Sequence, residues 1–277
     1  MRWIEPCGST FVVTNNDYLG NWTPMDGNGL FSFYYKIFNR PANGAALPLE
    51  VRLYGSAGSI ARWTAPNPDA VTDWMHFRIP LEASQWTLLQ GTWAQVLTDV
   101  WSVRIRVRIF TNTSLDTCVG LDSAVLRQRQ THLASEMNFT QGELFSGDLS
   151  NLQDSDDRSL TFFNDPVTMV SEVELGASGA YTDPYQFWFD YEPKAERPGL
   201  SQSLSFYNYQ ASQWNFIEGR TASMSDLSCE VRLGAAPQYV SGSGELKCRV
   251  RWEPINDEDP AQDGWLVGLD TAYWRVL

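Results

Sequence analysis

Hydrophobic and polar residues alternate along much of this chain with a period of two. The clearest run is Val103 to Phe110, where Val103, Ile105, Val107 and Ile109 share one face and Arg104, Arg106 and Arg108 the other. Such alternation marks a half-buried antiparallel strand, one face on a core and one in solvent. The same pattern predicts strands at Phe11–Val13, Leu30–Phe38, Leu49–Tyr54, Trp74–Leu81 and Gly120–Leu126, with a weaker one at Ile60–Trp63. Between Thr92 and Trp101 the period changes. Trp93, Val96, Leu97 and Val100 fall at i, i+3, i+4 and i+7, behind a Thr92 suited to cap a short helix near 92–101.

The passage Arg127 to Met137 is polar and carries no strand pattern, so it reads as a linker at 129–137 between domains 1–128 and 138–277. Beyond it, strands are expected at Leu160–Phe163, Met169–Leu175, Tyr185–Tyr191, Gln202–Tyr209, Ser228–Leu233, Glu245–Trp252 and Leu266–Leu277. Turn signals such as Asn164-Asp165-Pro166, Pro198-Gly199 and Ser241 to Gly244 separate them. The expected fold is all-β: two tandem antiparallel β-sandwiches of jelly-roll, galactose-binding-like type, with one short helix. The two halves end alike, Gly120-Leu-Asp-Ser-Ala-Val and Gly268-Leu-Asp-Thr-Ala-Tyr, which points to two related sandwiches.

Charge divides the halves. Residues 1–128 hold 10 basic and 10 acidic residues, whereas residues 129–277 hold 10 and 23, so the whole net charge of −13 lies in the second half. That makes nucleic acid and anionic membranes poor partners. Because the first half is neutral, Arg104, Arg106 and Arg108 read as a solvated sheet face rather than an anion site. No run of about 18 apolar residues occurs, so no membrane span is expected. The four cysteines form no CxxC or CxH pair, which argues against zinc. Two lie in each half, so one disulfide per domain is expected, Cys7–Cys118 and Cys229–Cys248. Disulfides imply an extracellular or cell-surface protein.

The first half resembles the laminin B (laminin type IV) domain. The resemblance rests on Asp17-Tyr-Leu-Gly20, Asn28-Gly-Leu-Phe-Ser-Phe33, Leu49 to Gly55, Ile79-Pro-Leu with Trp86, Trp93-Ala-Gln-Val-Leu97, Val103-Arg-Ile-Arg106 and Leu121-Asp-Ser-Ala-Val125, in the family's order. One position departs: the family's Asn is Ser123 here. The resemblance implies a non-catalytic jelly roll and carries over no functional residues. The second half is similar to β-sandwich modules of bacterial secreted proteins.

Catalytic motifs are absent from the sequence. Only two histidines occur, His76 and His132, and there is no GxSxG, HExxH or glycine-rich phosphate loop. Paired carboxylates on one strand face, Glu172/Glu174 and Asp190/Glu192, leave a glycan-active hydrolase or lyase as a minor reading. Clustered loop carboxylates, Asp154, Asp156 and Asp157 or Asp257, Asp259 and Asp263, read either as solvated acidic loops or as ligands for Ca²⁺, the one candidate cofactor. Aromatics in or beside loop-like segments, Trp22, Trp63, Tyr181, Tyr185, Trp214 and Trp265, are the candidates for stacking on sugar rings. The first functional reading is a non-catalytic extracellular structural or adhesive protein that meets other copies of itself or surface glycans. The alternative is a carbohydrate-binding module.

Overall fold

Strand alternation becomes two stacked pairs of sheets in the computed structural model, which describes residues 2–4, 11–13, 18–39, 45–66, 73–107, 118–156, 158–255 and 264–277. The chain divides into two compact units, Met1–Arg129 and Gln130–Leu277.

Unit 1 contains β1 (Arg2–Ile4), β2 (Phe11–Val13), β3 (Gly29–Asn39), β4 (Leu49–Tyr54), β5 (Ile60–Ala65), β6 (Met75–Pro80), β7 (Thr87–Gln90), α1 (Trp93–Thr98), β8 (Ser102–Arg106) and β9 (Cys118–Gln128). Its sheets have the orders β1-β9-β3-β6 and β2-β8-β4-β5-β7, with antiparallel pairing throughout. The inward residues Phe31, Phe33 and Tyr35 of β3 meet Val51 and Leu53 of β4 and Val103 and Ile105 of β8 in one core. The expected helix forms as α1. Thr92 caps it by accepting from the Gln95 amide, and the Gln95 side chain returns the bond to Thr92 N–H. Trp93, Val96 and Leu97 turn into the core. Gly55, just after β4, lets the helix backbone approach closely: a Cβ there would meet Val96 Cα at 2.3 Å.

Unit 2 contains β10 (Gln130–Leu133), β11 (Glu136–Gln141), β12 (Glu143–Ser146), β13 (Leu160–Phe163), β14 (Ser171–Ala177), β15 (Phe187–Ala195), β16 (Leu200–Asn208), β17 (Gln213–Thr221), β18 (Cys229–Leu233), β19 (Leu246–Pro254) and β20 (Leu266–Val276). One sheet runs β12-β13-β20-β15-β18, with β10 also on β20; the other runs β11-β14-β19-β16-β17. The core between them is aromatic. Phe162 meets Trp252 edge-on at 5.4 Å, and Phe189 meets Phe206 at 5.7 Å and Trp274 at 5.0 Å. The two similar chain segments are the last strands of their units, β9 and β20, each with partners on both sides.

Strand pairing corrects two expectations. The passage expected to be a linker holds β10 and the first two residues of β11. Gln130–Leu133 pairs with the end of β20, and Glu136–Gln141 pairs with β14. Their apolar content is too low to mark strands in sequence, and the pairing partners lie far along the chain. The second concerns Cys229–Cys248. Both are free, buried thiols. Cys229 stands on β18 opposite Tyr191, and Cys248 on β19 opposite Leu175 and Phe206, in the other sheet. Strands adjacent in sequence are therefore not adjacent in a sheet, and the cross-strand geometry that a bridge needs is missing. Cys7 lies outside the described residues, as does the side chain of Cys118.

Candidate functional site

The outer face of the β11-β14-β19-β16-β17 sheet carries a dense set of outward polar and aromatic side chains. Strand alternation puts Leu246, Cys248, Val250 and Trp252 of β19 in the core, so Lys247, Arg249, Arg251 and Glu253 point out. On β14 the same logic buries Val173 and Leu175 and turns Glu172 and Glu174 outward.

Register aligns these residues into rows. One row runs across all five strands: Asn138 opposite Glu174, Glu174 opposite Arg249, Arg249 opposite Ser205, Ser205 opposite Phe216. At about 4.8 Å between strands the row is about 19 Å long. On one side, Tyr207 faces Trp214 and Gly176 faces Glu136 and Lys247. On the other, Arg251 faces Glu172 and Ser203, and Ser203 faces Gly219.

The charged groups hold one another in place. Glu172 is outward yet only 4% exposed. It accepts from Thr140 Oγ1 at 2.5 Å and from Arg251 Nη1 at 3.3 Å, and Arg249 Nε lies 3.3 Å away. Arg249 Nη2 donates to Glu174 at 2.6 Å, and Arg251 Nη2 to Glu253 at 2.8 Å. The Arg249 guanidinium also lies 4.3 Å above the Trp214 ring, whose edge meets Tyr207 at 5.3 Å. The ladder fixes planar hydrogen-bonding groups beside aromatic surface. At the β17 edge Phe216 is 69% exposed and leans over Gly219, where a Cβ would stand 3.2 Å from its ring. At the opposite end a shallow cavity of about 280 Å³ is lined by Glu136, Asn138, Glu174 and Lys247 among others.

Of the six aromatics expected to meet sugar, Trp214 alone stands on this face. Trp22 (2% exposed) and Trp265 (4%) are core residues, a correction that follows from their packing inside the two sandwiches. Trp63 packs against the unit 1 core with its ring edge-on to Phe77 at 6.2 Å. Tyr181 packs against the unit 2 core. Tyr185 is half-buried where its amide donates to Leu277 O. Phe216 and Tyr207 were not among the sequence candidates. The outward set Lys247, Arg249 and Arg251 was legible in the alternation of β19, and Glu172 with Glu174 in that of β14.

The candidate calcium ligands divide. Asp154 is exposed, and Asp156 accepts from Arg158 N–H at 3.1 Å and pairs with its guanidinium. Among the described residues no three His, Cys, Asp or Glu side chains converge on one point. Asp157, Asp257, Asp259 and Asp263 lie outside the described residues. The carboxylate pairs considered for glycoside hydrolysis are engaged. Glu172 and Glu174 bind arginines as above, Asp190 receives both Nε and Nη2 of Arg275 at 2.7 Å, and Glu192 accepts from Ser155. Among the described residues no helix is long and apolar enough to cross a membrane.

No protein-family model matches the chain, and no curated protein matches it. Solved structures similar to it include the tandem CBM22-1-CBM22-2 domain of Paenibacillus barcinonensis Xyn10C (12% identity, 91% of this chain and 79% of that one, TM-score 0.35). TmCBM61 in complex with β-1,4-galactotriose is matched at 11% identity over 50% of this chain and 86% of that one, TM-score 0.32. The structure of infectious bursal disease virus Gx strain is matched at 8% identity over 100% and 69%, TM-score 0.29.

Proposed function

We propose that this chain is a non-catalytic, extracellular glycan-binding protein, with a laminin B-like sandwich as unit 1 and the ligand face on unit 2. The observation that carries this reading is the five-strand row ending on Phe216. A sugar chain needs apolar surface for its C–H faces and fixed, planar hydrogen-bonding partners for its hydroxyls. Phe216 supplies the first, and Asn138, Glu174, Arg249 and Ser205 supply the second along a line long enough for several sugar units. The pre-set Arg–Glu ladder lowers the entropic cost of binding, since these long side chains are already ordered.

Glycan-array screening of the full chain, followed by calorimetry on the retained neutral oligosaccharide, tests the proposal. Covering one face of Phe216 removes about 50 Å² of apolar surface from water, worth about 1.3 kcal/mol or roughly tenfold in affinity. Phe216→Ala should therefore weaken binding about tenfold and leave the melting temperature unchanged. An array with no retained glycan, or full affinity in Phe216→Ala, refutes the proposal.

One observation favours a second reading, self-association. β17 is a nine-residue edge strand with one side free of any strand partner among the described residues. Sedimentation velocity over a concentration series decides it, because a monomer at all concentrations removes the reading. A Ca²⁺ role for Asp257, Asp259 and Asp263 is tested by the melting temperature with and without EDTA.

A further inference from the structure

Unit 1 has an outward sheet face of different chemistry, on the β2-β8-β4-β5-β7 sheet. Arg52 of β4 stands directly opposite Arg104 of β8 on one side and Arg62 of β5 on the other. Three guanidinium side chains therefore share one cross-strand row about 10 Å long. Like charges directly opposite one another destabilise a sheet, and a merely solvated face has no need of such a row.

Glu50 is the carboxylate within this ladder. It is 2% exposed and pairs with Arg52 and, at 2.5 Å, with Arg106. Of the two outer members of the row, Arg104 meets neutral groups. Arg104 Nε donates to Ser102 Oγ at 3.3 Å, and its guanidinium lies 4.2 Å above the Tyr54 ring. The Nε of Arg62 is buried and has no hydrogen-bond partner among the described residues. At the end of the row Trp101 is 49% exposed, with its ring 5.3 Å from Tyr54 and its Nε1–H on Gly55 O at 2.9 Å.

We infer that this face binds an anionic glycan: its carboxylate or sulfate groups sit on Arg104, Arg52 and Arg62, and a sugar ring lies on Trp101. Guanidinium groups pair with planar or tetrahedral oxyanions in bidentate fashion. The row is short, with aromatic surface at one end. That suits an oligosaccharide bearing spaced charges beside a ring-stacking surface better than the continuous phosphate backbone of a nucleic acid. The site is separate from the unit 2 face and does not depend on it.

Affinity electrophoresis of the full chain tests the inference, with polygalacturonate, dextran sulfate, neutral dextran and random-sequence duplex DNA as probes. Polygalacturonate or dextran sulfate should retard the protein, less so at high salt, whereas neutral dextran should not act through this face. Retardation by polygalacturonate alone assigns the site to uronates, and by dextran sulfate alone to sulfated sugars. The double variant Arg62→Gln/Arg104→Gln should raise the apparent Kd at least tenfold. Each single variant should raise it about threefold, and the singles decide the matter if circular dichroism shows the double variant unfolded. Phe216→Ala should leave polyanion binding unchanged, so failure of the unit 2 reading is distinguishable. Four outcomes overturn the inference: no retardation by either polyanionic glycan at low salt, undiminished binding in the arginine variants, loss of polyanion binding in Phe216→Ala, or equal retardation by duplex DNA.

Discussion

Replacing Glu172 by glutamine tests how the unit 2 face is held together. The carboxylate lies 3.3 Å from both Arg249 Nε and Arg251 Nη1 and accepts from Thr140. At an effective dielectric of about 20, each contact is worth about 5 kcal/mol of Coulomb attraction before desolvation is counted. Burying the carboxylate costs several kcal/mol. The two arginines are partly exposed and keep Glu174 and Glu253, which softens the loss. The substituted amide would keep an oxygen toward Thr140 and turn its NH₂ toward Arg251, donor against donor. The net expected destabilisation is about 2 kcal/mol, within the range for losing a charged hydrogen bond and leaving a buried donor facing a cation. Urea unfolding followed by tryptophan fluorescence and far-ultraviolet circular dichroism should show the unit 2 transition moving to lower urea by about 1 M with its slope unchanged. The shift should persist at high salt, because Glu172 is buried. A double-mutant cycle with Arg251→Gln should show clear coupling. A Glu172→Gln protein as stable as the parent, or more stable, would refute the reasoning: desolvation would then outweigh pairing, and the ladder would not fix the face.

Three further outcomes are expected. Ser123 has φ +47° at the register shift between β9 and β3, a left-handed backbone that favours Gly or Asn; Ser123→Gly should raise stability by up to about 1 kcal/mol in thermal unfolding, and a lower melting temperature would count against it. In denaturant without reductant, thiol titration should find at least two reactive cysteines per chain, slow to react in the native protein because burial raises both Cys229 and Cys248 above the ordinary thiol range; fewer than two would contradict the free thiols. Burial lowers the His132 imidazole below its ordinary 6.5, against a raising contribution from Ser178 O, so the unfolded chain binds more protons between the folded value and 6.5. Stability should therefore fall as pH drops below about 6.5, and His132→Gln should flatten that limb; an unchanged pH profile in the variant would exclude the effect.

Much of the fold was legible because a strand's alternation is a local property. Val103 to Arg106, Leu246 to Trp252 and Leu200 to Phe206 each declare which residues face the core, and the period change at Thr92 declares a helix. Edge strands were not legible in the same way. β7 is exposed along its whole length, and β10, β11 and β12 bury too little to leave a pattern; their strand character comes from hydrogen-bonding partners far away in the chain. The same limit explains the cysteines. Two strand-like runs close in sequence looked like neighbours, but β18 and β19 were assigned to opposite sheets by long-range pairing.

From the sequence alone came the all-β class, the division into two units, the capped helix and the outward character of the arginine and glutamate positions. Only the tertiary structure decided which of those positions stand together. Burial separated Trp22 and Trp265, which are in the cores, from Phe216, which is exposed. Register then brought Asn138, Glu174, Arg249, Ser205 and Phe216 into one line, and Arg104, Arg52 and Arg62 into another. A strand's sequence specifies its two faces, but a row across a sheet is a relation between strands, and only their hydrogen-bonded alignment sets it.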